Sequence, residues 1–188
     1  NIMAEFIVYC GPMFSGKTTR FLNYLDRCQY QGKSTAVFKP KLDERYAQEE
    51  IVTHSGTAIS CTTIVRGNDI VEYLIDSNPS IDVIAVDEAF MVPGVAESLV
   101  FLFKHGKDIV VSTLDLSSGC EPFDEISSML PYATVVKKCN AVCTACGSDA
   151  QYTYKKIEDG NVISIGGSDK YEPRCWNHHP LMNEADYG

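Results

Sequence analysis

Residues 5–20 read EFIVYCGPMFSGKTTR. The first six, EFIVYC, are a short, largely apolar run rich in β-formers that stops at a glycine, the pattern of a buried strand. The next eight, Gly11-Pro12-Met13-Phe14-Ser15-Gly16-Lys17-Thr18, satisfy G-x-x-x-x-G-K-[ST], with a strand before and a helix after, as a phosphate-binding loop requires. Two glycines let the backbone curl until successive N–H groups point inward at phosphate oxygens. The helix that follows adds the positive end of its dipole. Lys17 supplies a point charge to the β- and γ-phosphates, the Thr18 hydroxyl is placed to ligate Mg²⁺, and Thr19 stands behind it at the helix start. The stretch predicts a loop that holds an ATP-type triphosphate.

Outward from this loop, helix-like and strand-like segments alternate. Residues 17–31 carry Leu22, Leu25 and Cys28 at helical spacing with Phe21 beside them. STAVFKP (34–40) reads as a strand stopped by Pro40, and 41–56 as a polar, irregular loop. Residues 68–77 predict a helix with Ile70, Val71, Leu74 and Ile75 on one face, ended by Pro79. IDVIAVDE (81–88) is a continuously apolar strand closing on two carboxylates; 94–105 predicts a helix ending at Gly106; DIVVSTLD (108–115) and ATVVKK (133–138) are further strands. Strands alternating with helices imply α/β architecture, a parallel sheet with helices on both faces. From Cys139 the chain turns to short β-like pieces, turns and metal-type residues. The expected division is therefore 1–138, an α/β nucleotide-binding unit, and 139–188, a small metal-binding appendage.

The bulk properties fit. A chain of 188 residues with 45% apolar content has room for one full domain plus a small one. The net charge of −9, with no block of Lys and Arg, argues against nucleic acid as the main partner. No 18-residue apolar stretch is present, so no transmembrane helix is expected, and no signal-peptide pattern precedes the first strand. Of the eight cysteines, Cys10, Cys28, Cys61 and Cys120 are scattered singly, whereas Cys139, Cys143, Cys146 and Cys175 crowd the C-terminal quarter. A C-x-x-C pair there points to metal or redox chemistry in a reducing compartment, and the expected location is the cytoplasm.

Two constellations add chemistry. Asp87 closes an apolar strand, where a phosphate-loop protein holds Mg²⁺ through an acid. Side-chain alternation along the strand puts Glu88 on the opposite side, within reach of an acceptor whose proton a carboxylate can take. The same pair suits an ATPase, with Glu88 activating water. Cys143-Thr144-Ala145-Cys146 and Cys175-Trp176-Asn177-His178 form two short ligand pairs across an intervening segment, as in tetrahedral Zn²⁺ sites. Three thiolates and one imidazole leave no open position, so the expected role is structural. His179 competes with His178 for the fourth place. The intervening segment, with its adjacent Gly166 and Gly167, reads as a loop able to cover a substrate.

In order, GPMFSGKTT, DERY (43–46), VDEAF (86–90), LD…EPF, AVC-x-x-C, IGGSDKY (165–171) and C-x-x-H resemble the type II thymidine kinases over roughly residues 5–178. The resemblance implies a RecA-like domain with a zinc-bound lasso, assembled as a homotetramer, which phosphorylates the 5′-hydroxyl of thymidine or deoxyuridine with ATP and Mg²⁺. It implies Glu88 as catalytic base, Gly11 to Thr19 with Arg45 and Asp87 around the donor, and Thr18 and Asp87 at Mg²⁺. It also implies Met13, Leu114, Phe123, Thr153, Ser164, Ile165, Gly166 and Tyr171 around the nucleoside.

Three positions depart from that pattern. Phe90 and Met91 compete for the place of an aromatic beside the base, since the usual Gln–aromatic pair is missing. Ser117-Ser118 stands where a pocket Phe is usual, so Ser118 lines a smaller wall. His178 replaces the commoner fourth Cys. The first two changes predict an altered or loosened base pocket, and zinc accepts the third. Two other readings remain: an ATPase or another small-molecule kinase with a zinc-held lid, and a nucleotide-binding regulatory protein without catalysis.

Overall fold

The computed structural model describes residues 3–42, 50–52 and 58–183. Strands form where β-branched and aromatic residues run together. Six of them, β1 (Phe6–Cys10), β2 (Thr35–Pro40), β5 (Thr62–Ile64), β6 (Val83–Asp87), β7 (Asp108–Thr113) and β8 (Val135–Lys138), join in one sheet of order β5-β2-β6-β7-β1-β8. Every pairing in it is parallel, with Val8 of β1 opposite both Val111 and Val136. Two remaining N-terminal strands, β3 (Glu50–Val52) and β4 (Ala58–Ser60), pair antiparallel beside it.

Alternation along each strand divides the core into two layers. Ile7, Val37, Ala85 and Val110 face α1 (Lys17–Tyr30), which buries Phe21, Leu22, Leu25 and Cys28 against them. Phe6, Val8, Phe38, Ile84, Val86 and Val111 face α2 (Asn68–Ser77), α3 (Val95–Lys104) and α4 (Asp124–Met129). Phe6, Phe21 and Phe38 are wholly enclosed, each contributing about 1.5–3 kcal/mol of burial. The helices thus lie on both faces, and the α/β expectation holds.

Several local expectations need correction. The described part of 41–56 includes a strand, β3, rather than loop alone; residues 43–49 and 53–56, with Arg45, lie outside the described residues. On α2 the buried stripe is Ile70 and Leu74, with Val71 at its margin, whereas Ile75 is 71% exposed. At 3.6 residues per turn, five residues from Ile70 brings Ile75 about 140° around the helix, so it rotates off the face. The strand expected over 81–88 ends at Asp87, and a 3₁₀ turn, Ala89–Met91, follows. Helix α4 was not foreseen because its six residues, DEISSM, carry only Ile126 and Met129 as apolar anchors.

After β8 the chain forms two small antiparallel pairs, β9 (Ala141–Val142) with β10 (Asp149–Ala150), and β11 (Tyr152–Lys155) with β12 (Tyr171–Arg174). They are joined to the main sheet at a tight crossing. The Cys139 N–H donates to Cys10 O at 2.7 Å, and a Cβ on Gly11 would lie 2.3 Å from Cys139 O. Gly11 has φ +138°, so no other residue fits the start of the loop. In a parallel sheet the carboxyl ends of β1, β6 and β7 share one edge, which is where α/β folds bind ligands.

Candidate functional site

The phosphate loop is folded as its motif requires. Gly16, at the N-cap of α1, has φ +74°, and Phe14 holds φ +65°, an uncommon strain for an aromatic residue. Lys17 is buried; its ammonium donates to Pro12 O at 2.6 Å and Ser15 Oγ at 3.4 Å. Burial lowers the Lys17 pKa, while the charges of Glu88 and Asp87 raise it. All three groups therefore cluster at the strand ends.

Asp87 ends β6 with 6% exposure, and its Oδ1 has no hydrogen-bond partner. Burial pushes its pKa up, while the Ser112 hydroxyl, the Glu88 N–H and the Lys17 charge favour the ionised form. Burial likewise raises the pKa of Glu88, the Asp87 charge adds to the rise, and Lys17 opposes it. Glu88 has left the strand: at φ +53° it occupies the left-handed region, so the turn rather than strand alternation sets its direction. The turn directs it to the same cavity as the phosphate loop. A bare, buried carboxylate oxygen is an atom that a divalent cation satisfies.

That cavity encloses about 290 Å³. Met13, Phe14, Ser15, Gly16, Lys17, Thr18 and Thr19 form one side of it. Glu88, Phe90, Met91, Leu114, Ser117, Ser118 and Phe123 form another, and Thr153, Ser164, Ile165, Gly166 and Tyr171 the third. Gly11, Pro12 and Asp87 do not line it. Phe90 and Met91 both reach the cavity, and the Phe90 ring packs on Phe123 with centroids 4.8 Å apart, tilted by 38°. The Phe90 N–H donates to Thr113 Oγ1 at 3.1 Å, fixing the turn after Glu88.

The segment between β11 and β12 is shaped by its own polar contacts. The Tyr171 hydroxyl donates to Ser164 O at 2.7 Å and accepts the Ser164 N–H at 3.2 Å. Lys170 Nζ donates to Ile165 O at 2.9 Å. Leu42, Val162 and Ile163 also line the cavity and were not anticipated. The run VISI at 162–165, apolar within a polar stretch, was the available signal for the last two.

Beyond the cavity, one ligand atom each from Cys143, Cys146, Cys175 and His178 lie within 4.8 Å of one another. Cys146 and Cys175 sulfurs are 3.7 Å apart, and His178 Nδ1 is 3.2 Å from Cys175 Sγ. Tetrahedral bonds of about 2.3 Å to thiolate sulfur require ligand atoms roughly 3.8 Å apart, so the set fits zinc. Burial opposes ionisation of Cys143, but backbone N–H groups of Cys175, Ala145 and Cys146 converge on its sulfur, and its pKa is lowered. His179 is not part of the cluster: its Nε2 is bonded to Thr153 O at 2.9 Å. Cys139 is buried elsewhere, its thiol near Lys137 O. No helix among the described residues is long and apolar enough to cross a membrane.

A phosphate loop, an acidic strand end, an aromatic wall and a metal-ready knuckle thus meet on one α/β frame. The family model described as thymidine kinase matches residues 4–179. The chain therefore belongs to the thymidine kinase family of phosphotransferases, which act on nucleosides.

Proposed function

We propose that this enzyme transfers the γ-phosphoryl group of ATP to the 5′-hydroxyl of thymidine, deoxyuridine or a 5-substituted deoxyuridine. The observation that carries this reading is the shared cavity: Lys17 and Thr18 line it together with Glu88 and the Phe90–Phe123 pair. Donor and acceptor then meet without a separate channel, and positioning is most of what phosphoryl transfer asks of a protein. In the step, Glu88 takes the 5′-hydroxyl proton as that oxygen bonds to the γ-phosphorus. The bond from phosphorus to the β,γ-bridging oxygen breaks, and ADP leaves with the electron pair. Loop N–H groups, the α1 N-terminus and Lys17 stabilise the charge on the transferring oxygens. Thr18 and Asp87 would hold Mg²⁺, which when bound neutralises phosphate charge. Arg45, outside the described residues, is assigned to the donor by resemblance alone.

On the acceptor side, the base lies between Met13, Leu114, Phe90 and Phe123. Met91, Ser118 and Thr153 complete its wall. Ser164, Ile165, Gly166 and Tyr171 close over base and sugar. The small side chain at Ser118 supports the loosened pocket and tolerance of a 5-substituent. A division at residue 138/139, a structural zinc in the C-terminal knuckle, a homotetramer and a cytoplasmic location complete the reading.

ADP release should depend on thymidine; release at an unchanged rate without it would favour an ATPase. Glu88→Gln should lower kcat by roughly 10²–10⁴-fold with ATP binding nearly unchanged. Activity near that of the parent would remove Glu88 as base. Comparing kcat/KM for thymidine, deoxyuridine and 5-substituted analogues against deoxycytidine tests the pocket. A strict thymidine preference would sink the loosened-pocket reading.

A further inference from the structure

His179 stands beside His178 of the Cys/His cluster, yet its ring is turned inward and is 1% exposed. The Leu181 N–H points at Nδ1 from 3.2 Å, so that nitrogen accepts. The proton then sits on Nε2, which donates to Thr153 O at 2.9 Å. Both ring nitrogens thereby have hydrogen-bond partners. The Thr153 hydroxyl in turn accepts the Met13 N–H at 3.1 Å, inside the phosphate loop. Against the ring lies Cys120 Sγ, 3.7 Å from Nδ1 and 3.8 Å from Nε2. Such nearly equal distances set the sulfur beside the ring face, not in line with either nitrogen. Tyr152 and Tyr154 approach edge-on, each with centroids 6.0 Å from the ring.

One buried side chain therefore touches β11 and the loop that carries Ser117 and Ser118. Through Thr153 it also reaches the phosphate loop. Met13, Ser118 and Thr153 all line the cavity. We propose that His179 is a positioning residue for the nucleoside, tying the metal-held C-terminal knuckle to the wall of the pocket by the chain His179–Thr153–Met13. The inference rests on the kinase reading above. Its effect falls on the nucleoside rather than on ATP, because Gly16 and Lys17 are held independently by the first turn of α1, where Arg20 N–H donates to Gly16 O.

The test uses the zinc-loaded full chain. His179→Leu removes both ring nitrogens at similar bulk, whereas His179→Gln keeps an N–H donor near the Nε2 position. The Leu variant should raise the thymidine KM about tenfold, with kcat within about threefold and ATP KM within about twofold. Zinc content should stay at the parent level, and the Gln variant should recover most of the KM. Nitrogen-15 resonances of the parent protein should show the Nε2–H tautomer at His179. An unchanged KM, a loss confined to kcat, loss of zinc, a Gln variant as impaired as Leu, or the Nδ1–H tautomer each overturns the proposal. If the Leu variant does not fold, near-parent KM in the Gln variant together with the Nε2–H tautomer supports it, and failure of either overturns it. A parent enzyme without thymidine-dependent ADP release would instead sink the kinase reading, leaving the tautomer result to stand.

Discussion

At Glu88 the backbone takes φ 53° and ψ 40°, a conformation that costs a non-glycine residue of order 1–3 kcal/mol. The local cost is offset by the fully buried β6 strand before it and by the Phe90–Thr113 hydrogen bond after it. The motif VDEAF made this acid a candidate, but nothing in it announced a left-handed turn. Strand alternation does not set the direction of Glu88, because the strand ends at Asp87. The question of Phe90 against Met91 was likewise open in the sequence, because a 3₁₀ turn presents consecutive residues to one cavity. Phe90 is the one of the two whose ring packs on Phe123, which supports it as the proposed stacking wall. Phe90→Ala should raise the thymidine KM roughly five- to 150-fold, in line with about 1–3 kcal/mol per stacked base. Met91→Ala should cost less. Steady-state kinetics on both variants checks the order, and a larger loss at Met91 would reverse the assignment.

At the level of elements, the joints matter more than the strands. Gly11 joins β1 to the phosphate loop where Cys139 passes overhead. Gly11→Ala must move the Cys139 carbonyl and also adopt a disfavoured φ, so thermal unfolding should show a large loss of stability, about 2 kcal/mol or more. The sequence marked Gly11 as a motif residue; its second partner, distant in the chain, was invisible until β8 was placed. Helix α3 begins at another joint. Glu125, from α4, accepts the Gly94 N–H at 2.7 Å and the Ala96 N–H at 2.9 Å, supplying partners to two donors the helix cannot pair itself. Glu125→Ala should lower stability by about 1–2 kcal/mol in denaturant titrations while leaving zinc content unchanged. A neutral result would mean that water replaces the carboxylate without loss. Element α4 escaped a periodicity reading because six residues are too few to display a period.

In the molecule as a whole, the layered sheet carries the phosphate loop, and a small C-terminal assembly lines one part of the cavity beside it. The latter has little apolar core of its own, with Ala141, Cys143, Ala150 and Cys175 as its buried cluster. A bound metal would supply what this core lacks. Removing zinc with a chelator should therefore abolish thymidine-dependent turnover while the far-ultraviolet signal of the sheet and helices largely persists. Cys146→Ser should reproduce the effect with reduced metal content. Retained turnover without metal would show that the knuckle folds unaided. By itself, the sequence determined the α/β alternation, the phosphate loop, the acidic strand end and the two ligand pairs, since each is a short-range pattern in which spacing dictates geometry. Tertiary structure alone decided which histidine joins the thiols and which turns inward to Thr153, because adjacent residues differ there only in what the fold brings opposite them. It decided as well that Met13, Glu88, Phe90 and Tyr171 share one cavity, a juxtaposition of distant segments that no local pattern encodes.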